Sequence, residues 1–358
     1  MNSSPNRKRD LLLEYSALQH ERAPRPLPLF LELVRQVSTR DPRLASEALA
    51  GLRAYERAPR HERRPQPPEV ARVRGAALRD YGGSGPPALL VPSLINPPRI
   101  LDLDDEVSLT RAIAQMGRRT YLLDWGKASE RAQLSVAEHV NELLLPLIKE
   151  IGSPVALVGY CLGGTMAVAA ANLVEVECLI TLASPWRFAN YPKRSHDALR
   201  DMWRQSQSAA RQLGALPMEV LQAAFWSLDP DRTVSKFAEF SELDPSSAAS
   251  RRFVELEQWA NEGEPLPYPA AQELVEELFG KDRPGTGTWM VGSRRVADYL
   301  SVPTLHLTAA RDLIVPPQTA AAGHIEAIDA GHVGMIVGSA RHRLHEALQA
   351  FLNPGCRC

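Results

Sequence analysis

No stretch of this chain approaches the roughly 18 consecutive apolar residues of a membrane-spanning helix, so a transmembrane helix is excluded. Its start, MNSSPNRKRDLLLEY, is basic but has neither a sustained apolar core nor a small-residue cleavage site, and reads poorly as a signal peptide. Excess charge is missing too. Lys and Arg number 41 against 42 Asp and Glu, which argues against a nucleic-acid binder relying on an overall basic field. Cysteine is scarce, and its four positions share no context. Cys161 and Cys178 stand in apolar, strand-like surroundings, whereas Cys356 and Cys358 close the chain as C-R-C beside Pro354 and Gly355. That is no disulfide framework, and a reducing cytoplasm is the simple reading. The terminal pair lacks a prenylation pattern and reads as a loose tail. No internal repeat and no metal-ligand spacing is present.

Apolar residues are plentiful at 44%, with 23% charged, so a sizeable core can form. A length of 358 residues allows two or three domains, or one large α/β domain with an insertion. Residues 1–75 carry 15 Lys or Arg against 9 Asp or Glu. Within them LPLFLELVRQV repeats Leu29, Leu33 and Val37 at helical spacing, and APRHERRPQPPEVARVRG reads as a linker. The segment is expected to be an arginine-rich helical arm and linker, packed on the main domain or offered to a partner.

From residue 76 strands and helices alternate. ALLVPS, RRTYLLDW, PVALVGY and VECLITLAS read as strands, with SLTRAIAQMG (closed by Gly117), SVAEHVNELLLPLIKEIG and TMAVAAANLV as helices between and after them. This rhythm predicts a mostly parallel sheet with helices on both faces. It stops over 186–300, a polar helical block with five of the six tryptophans, and resumes with VPTLHLTA, HIEAIDAGHVG and SARHRLHEALQAFL. The expected organisation is a core of 76–185 and 301–353 interrupted by a helical cap or lid over 186–300.

Gly159-Tyr160-Cys161-Leu162-Gly163-Gly164 lies between a predicted strand and a predicted helix. It is the G-x-nucleophile-x-G turn with cysteine at its centre. The central side chain stands clear of the sheet, Gly159 and Gly163 let strand and helix approach, and the helix N-terminus favours a thiolate. In this architecture the acid and the histidine follow the nucleophile in that order. Asp312, in A-R-D-L-I-V-P, and His332, in A-G-H-V-G, both fall just past predicted strands, where ligand sites of open α/β sheets lie. Asp124 ends an earlier strand and is out of order. His306 sits inside a strand as a core histidine, and His324, His342 and His345 read as surface residues. The candidate catalytic set is therefore Cys161, Asp312 and His332. The backbone NH of Leu162 is one expected oxyanion donor, and that of Leu94 in V-P-S-L-I-N is the other, with Ile95 as fallback.

VPSLINPPRILDLDDEVSL, RRTYLLDWG, GYCLGGTMAVAAA, ARDLIVP and AGHVG together resemble the polyhydroxyalkanoate synthases, most of all the short catalytic subunit of two-component enzymes. The elbow alone also resembles dienelactone hydrolases, which use the same Cys-Asp-His set. Those are small and lack a long insertion, whereas 151 positions separate Cys161 from Asp312 here. The resemblance implies an α/β-hydrolase fold and an acyltransferase whose Cys161 is acylated by a 3-hydroxyacyl-CoA, with release of CoA. It implies no cofactor beyond the CoA of the substrate. Partners would be that thioester, a growing polyester chain, and a second copy or a helper subunit, at the surface of polyester granules. Two other readings stay open: a Cys-dependent ester or thioester hydrolase on the same fold, and a non-catalytic granule-associated protein with a vestigial site.

Overall fold

The computed structural model describes residues 23–60 and 63–353. Cys356, Cys358 and the basic start of the arm lie outside the described residues. Among the described residues two compact units emerge, one from 23–60 and 63 with 221–262 and one from 64–220 with 263–353.

The larger unit is built on an eight-stranded sheet: β1 (Glu69–Val73), β2 (Ala76–Asp80), β3 (Pro87–Val91), β4 (Arg119–Asp124), β5 (Ala156–Tyr160), β6 (Cys178–Leu182), β7 (Thr304–Ala309) and β8 (His324–Ile328). Their order is β1-β2-β4-β3-β5-β6-β7-β8. All pairings from β4 to β8 are parallel, and β2 pairs antiparallel with β1 and with β4. Central strands of a sheet covered on both faces are apolar throughout, and β5 (ALVGY) and β6 (CLITL) are buried at every position. At the edge, β8 buries only Ile328.

The β1–β2 pair is a difference from the sequence, whose arginine- and proline-rich composition predicts a linker as far as residue 75. The chain instead turns at Arg74 (φ 50°) and lays EVARV against AALRD. A helical run over 136–151 carries a π segment at Val140–Leu144. Pro146 has no N–H to offer the preceding turn, which accounts for the irregular ladder there.

The smaller unit packs helices Leu27–Ser38, Pro42–Arg57, Pro230–Ser241 and Ala248–Asn261. The arm helix is present, and it buries Phe30, Val34 and Val37 fully while Leu29 and Leu33 are partly covered. Phe237 is the hub: its ring lies 4.7 Å from Phe30 and 5.8 Å from Tyr55. Gly51 permits this packing, because a Cβ there would sit 1.8 Å from the Phe237 carbonyl oxygen. The block read as one insertion over 186–300 is thus divided. Residues 221–262 bury their aromatic face with the N-terminal helices, while 186–220 and 263–300 group with the sheet.

Candidate active site

β5 runs straight into helix Leu162–Ala171, and Cys161 at the junction has φ 55°, ψ −130°. A non-glycine residue in this region costs roughly 1–3 kcal/mol and persists only where its surroundings enforce it. Here they do. The Cys161 N–H donates to the Leu182 carbonyl at 3.0 Å, and the Gly164 N–H donates to the Cys161 carbonyl at 2.9 Å. The three glycines leave no room for side chains. A Cβ on Gly159 would lie 2.4 Å from the Gly164 Cα, one on Gly163 2.1 Å from the Val91 oxygen, and one on Gly164 1.9 Å from the Ser184 hydroxyl. Only hydrogen fits at these three positions, so strand and helix approach closely at this turn.

Parallel strands put their carboxyl ends on one edge, and the turns after β5, β7 and β8 bring the three candidates there. The turns after β7 and β8 are tied to each other: Ala310 N–H donates to Ile328 and Arg311 N–H to Ala330, at 2.8 and 2.9 Å. Across that join, His332 Nδ1 bonds Asp312 Oδ2 at 2.7 Å. The other carboxylate oxygen, Oδ1, accepts the N–H groups of Ile314 and Val315 at 2.8 and 2.9 Å. Both side chains are buried, that of Asp312 completely. Burial alone would lower the pKa of His332. Negative charge on Cys161 and Asp312, with hydrogen bonds to both, outweighs it and pushes His332 up to about 10. Cys161 itself is half-buried.

Leu94 is buried in the loop after β3, and among the described residues nothing accepts from its N–H or from that of Leu162. The fallback donor fits less well, because the Ile95 N–H already donates to Ser93 Oγ at 3.3 Å.

The competing residues are occupied elsewhere. Asp124 lies 3.6 Å from Arg79 and accepts the Gly126 N–H. His306 is buried between Thr181 Oγ1 (2.8 Å) and the Ala322 carbonyl (3.3 Å). His324 pairs with Glu326, and His342 is exposed on the last helix, where His345 is half-buried rather than fully exposed.

Two tyrosines at the site escaped the sequence reading. Tyr160 stacks on His332 at 5.0 Å, and its hydroxyl donates to the His332 carbonyl at 3.3 Å. Its place next to Cys161 in the motif is the available signal. Tyr191, stacked on Phe188, has its hydroxyl pKa driven up by burial and by the charges of Cys161 and Asp312. No motif pointed to it.

Among the described residues no group of three or more His, Cys, Asp or Glu side chains could hold a metal ion. Nor is any described helix long and apolar enough to cross a membrane.

Comparison with known proteins agrees with this architecture. The profile described as "Alpha/beta hydrolase family" matches residues 109–347. The chain is 26% identical over 291 residues to a poly(3-hydroxyalkanoate) polymerase subunit PhaC of Haloarcula marismortui, covering 76% of this chain and 61% of that protein. It is 25% identical to the subunit of the same name from Allochromatium vinosum, covering 75% and 80%. The chain thus spans about three-fifths of the length of its haloarchaeal relatives, 56% for that of Haloferax mediterranei. A Bacillus megaterium epoxide hydrolase structure superposes with TM-score 0.52 at 16% identity, covering 80% of this chain and all of the other, and shows the shared fold. With the profile spanning most of the chain and the sheet carrying the elbow at the end of β5, this protein belongs to the alpha/beta hydrolase family and resembles the polyhydroxyalkanoate synthases within it.

Proposed function

We propose that the chain is an acyltransferase of the polyhydroxyalkanoate synthase type, taking 3-hydroxyacyl groups from CoA thioesters and passing them to a hydroxyl. The observation that carries this reading is the connected line Asp312–His332–Cys161. A carboxylate held by two backbone N–H groups fixes one ring nitrogen at 2.7 Å, and the ring is hydrogen-bonded to the Cys161 side chain.

With Nδ1–H donating to Asp312, Nε2 takes the proton of the Cys161 thiol. The thiolate attacks the thioester carbonyl carbon, and the oxyanion is received by the Leu94 and Leu162 N–H groups. Each such donor is typically worth about 2.7–4 kcal/mol of barrier. Collapse breaks the bond to the CoA sulfur, which leaves with the proton from Nε2. One thioester has replaced another, so this step is nearly thermoneutral. The hydroxyl of a second acyl unit then gives its proton to Nε2 and attacks the acyl-Cys161 carbonyl. The Cys161 sulfur departs and recovers that proton.

The scheme needs no cofactor beyond the CoA of the substrate. We assign the cover that keeps water from the acyl-enzyme to segments 186–220 and 263–300, which group with the sheet. The relatives are named as subunits, which supports a helper subunit or a second copy as partner; the surface of a polyester granule is where we place the reaction. Incubation of purified protein with 3-hydroxybutyryl-CoA, with CoA and polymer followed separately, tests the proposal. CoA release matched by polymer is the expected result. CoA release matched by free 3-hydroxybutyrate identifies a Cys-dependent hydrolase, and an inert protein would have a vestigial site.

A further inference from the structure

The loop after β3, which carries one of the two proposed oxyanion donors, is braced by a side chain from the end of β4. The buried Trp125 indole N–H donates to the Pro92 carbonyl at 3.0 Å. On its other side the loop meets the elbow helix, where a Cβ on Gly163 would fall 2.5 Å from that same Pro92 oxygen. On the next residue, Ser93 Oγ accepts the Ile95 N–H. The Pro92 carbonyl and the Ile95 N–H are thus both occupied, and the Leu94 N–H between them has no acceptor among the described residues. The indole is itself fixed. His139 lies edge-on to it at 5.7 Å, bonded to the Ser135 carbonyl through Nδ1 (2.7 Å) and facing the Arg131 guanidinium through Nε2 (3.2 Å).

We infer that Trp125 is a positioning residue for the oxyanion site: its N–H pins the Pro92–Ser93 peptide and so holds the Leu94 N–H toward the developing charge. The role rests on the acyl-transfer reading above. Without the indole donor, a buried carbonyl loses its partner and the loop is free to rotate that peptide toward another one. Preorganised donors are valuable because they need no reorganisation during the reaction, so a loosened donor slows acylation more than it weakens binding.

The test compares two reactions at one sulfur in the full chain. Acylation of Cys161 by 3-hydroxybutyryl-CoA passes through an oxyanion, whereas alkylation by iodoacetamide does not. Trp125→Phe keeps an aromatic ring and removes the N–H. We expect single-turnover acylation to fall roughly 10-fold, less than the roughly 10²–10³ for outright loss of one donor. Alkylation of Cys161 and KM should stay within about twofold. Should the phenylalanine variant fold poorly, benzothienylalanine placed at 125 keeps the bicyclic outline, with sulfur in place of N–H, and should give the same split. Unchanged acylation overturns the inference. An equal fall in both reactions also overturns it, since that marks general disruption of the site. Wild-type protein that is alkylated but never acylated overturns the acyl-transfer reading itself, and the role of Trp125 with it.

Discussion

Asp312→Asn is a one-atom change whose outcome the hydrogen bonds around it dictate. Asp312 Oδ1 accepts two backbone N–H groups, from Ile314 and Val315. An asparagine must keep its carbonyl oxygen there, since turning the amide would set an NH₂ against two donors. Its NH₂ is then forced toward His332 Nδ1, where Oδ2 had accepted at 2.7 Å. Nδ1 has to become the acceptor, which moves the ring proton to Nε2, the nitrogen that should take the Cys161 proton. The imidazole is held in place but in the wrong tautomer, and the charge that helped raise its pKa is gone. In a serine-protease triad this substitution lowers kcat by about 10⁴, or roughly 5.5 kcal/mol of barrier. Cysteine is the more acidic nucleophile and needs its base less, so a loss on the order of 10³ is expected here. The assay is single-turnover release of CoA from 3-hydroxybutyryl-CoA, with the acyl-enzyme followed by mass spectrometry. Stability should change by no more than about 1 kcal/mol, because both backbone bonds to Oδ1 survive. A single-turnover rate within about tenfold of wild type would refute the reasoning and leave Asp312 as a loop brace only.

Cys161→Ala is expected to abolish acylation with the fold intact. Cys161→Gly should do the same while raising unfolding free energy by about 1 kcal/mol, because glycine relieves the strain at φ 55°; a glycine variant less stable than the alanine one would contradict this. Gly163→Ala should cost about 1–3 kcal/mol in a denaturant titration and lose most acylation, as its Cβ would meet the Val91 and Pro92 carbonyl oxygens. His139 is pushed down to about 3 by burial, so below about pH 6.5 the unfolded chain binds a proton that the folded one does not. Stability must therefore fall as the pH drops from about 6.5 toward 3, by up to about 1.4 kcal/mol per pH unit from this group. His139→Gln should flatten that decline, and an unaltered slope would show that the ring is protonated in the fold.

Local chemistry was readable in the sequence where one residue type solves one geometric problem. Gly159, Gly163 and Gly164 around Cys161 announced a close strand–helix turn, and the order of Asp312 and His332 along the chain identified the turns that meet it. Pairing was harder to read. Leu29, Leu33 and Val37 marked a helix with a covered face, but periodicity says only that a face is covered, and Phe237, some 200 positions away, covers it. β1 was hidden because its five residues lie inside an arginine- and proline-rich stretch whose composition reads as linker. Tyr191 was hidden for another reason: a tyrosine in a loop carries no spacing signal, and only the fold sets it against Phe188 and Phe279.

The packing of Pro42–Arg57 against Pro230–Ser241 also sets a schedule for synthesis. Leu27–Ser38 and Pro42–Arg57 leave the ribosome with Phe30 and Tyr55 uncovered, and 205 further residues must follow Arg57 before the smaller unit is complete at Glu262. At roughly 5–20 residues per second that is on the order of 10–40 s of exposed aromatic surface, much longer than the helices themselves take to form. Surface exposed for that long is prone to aggregate, so slow translation would be felt in yield before it is felt at Cys161.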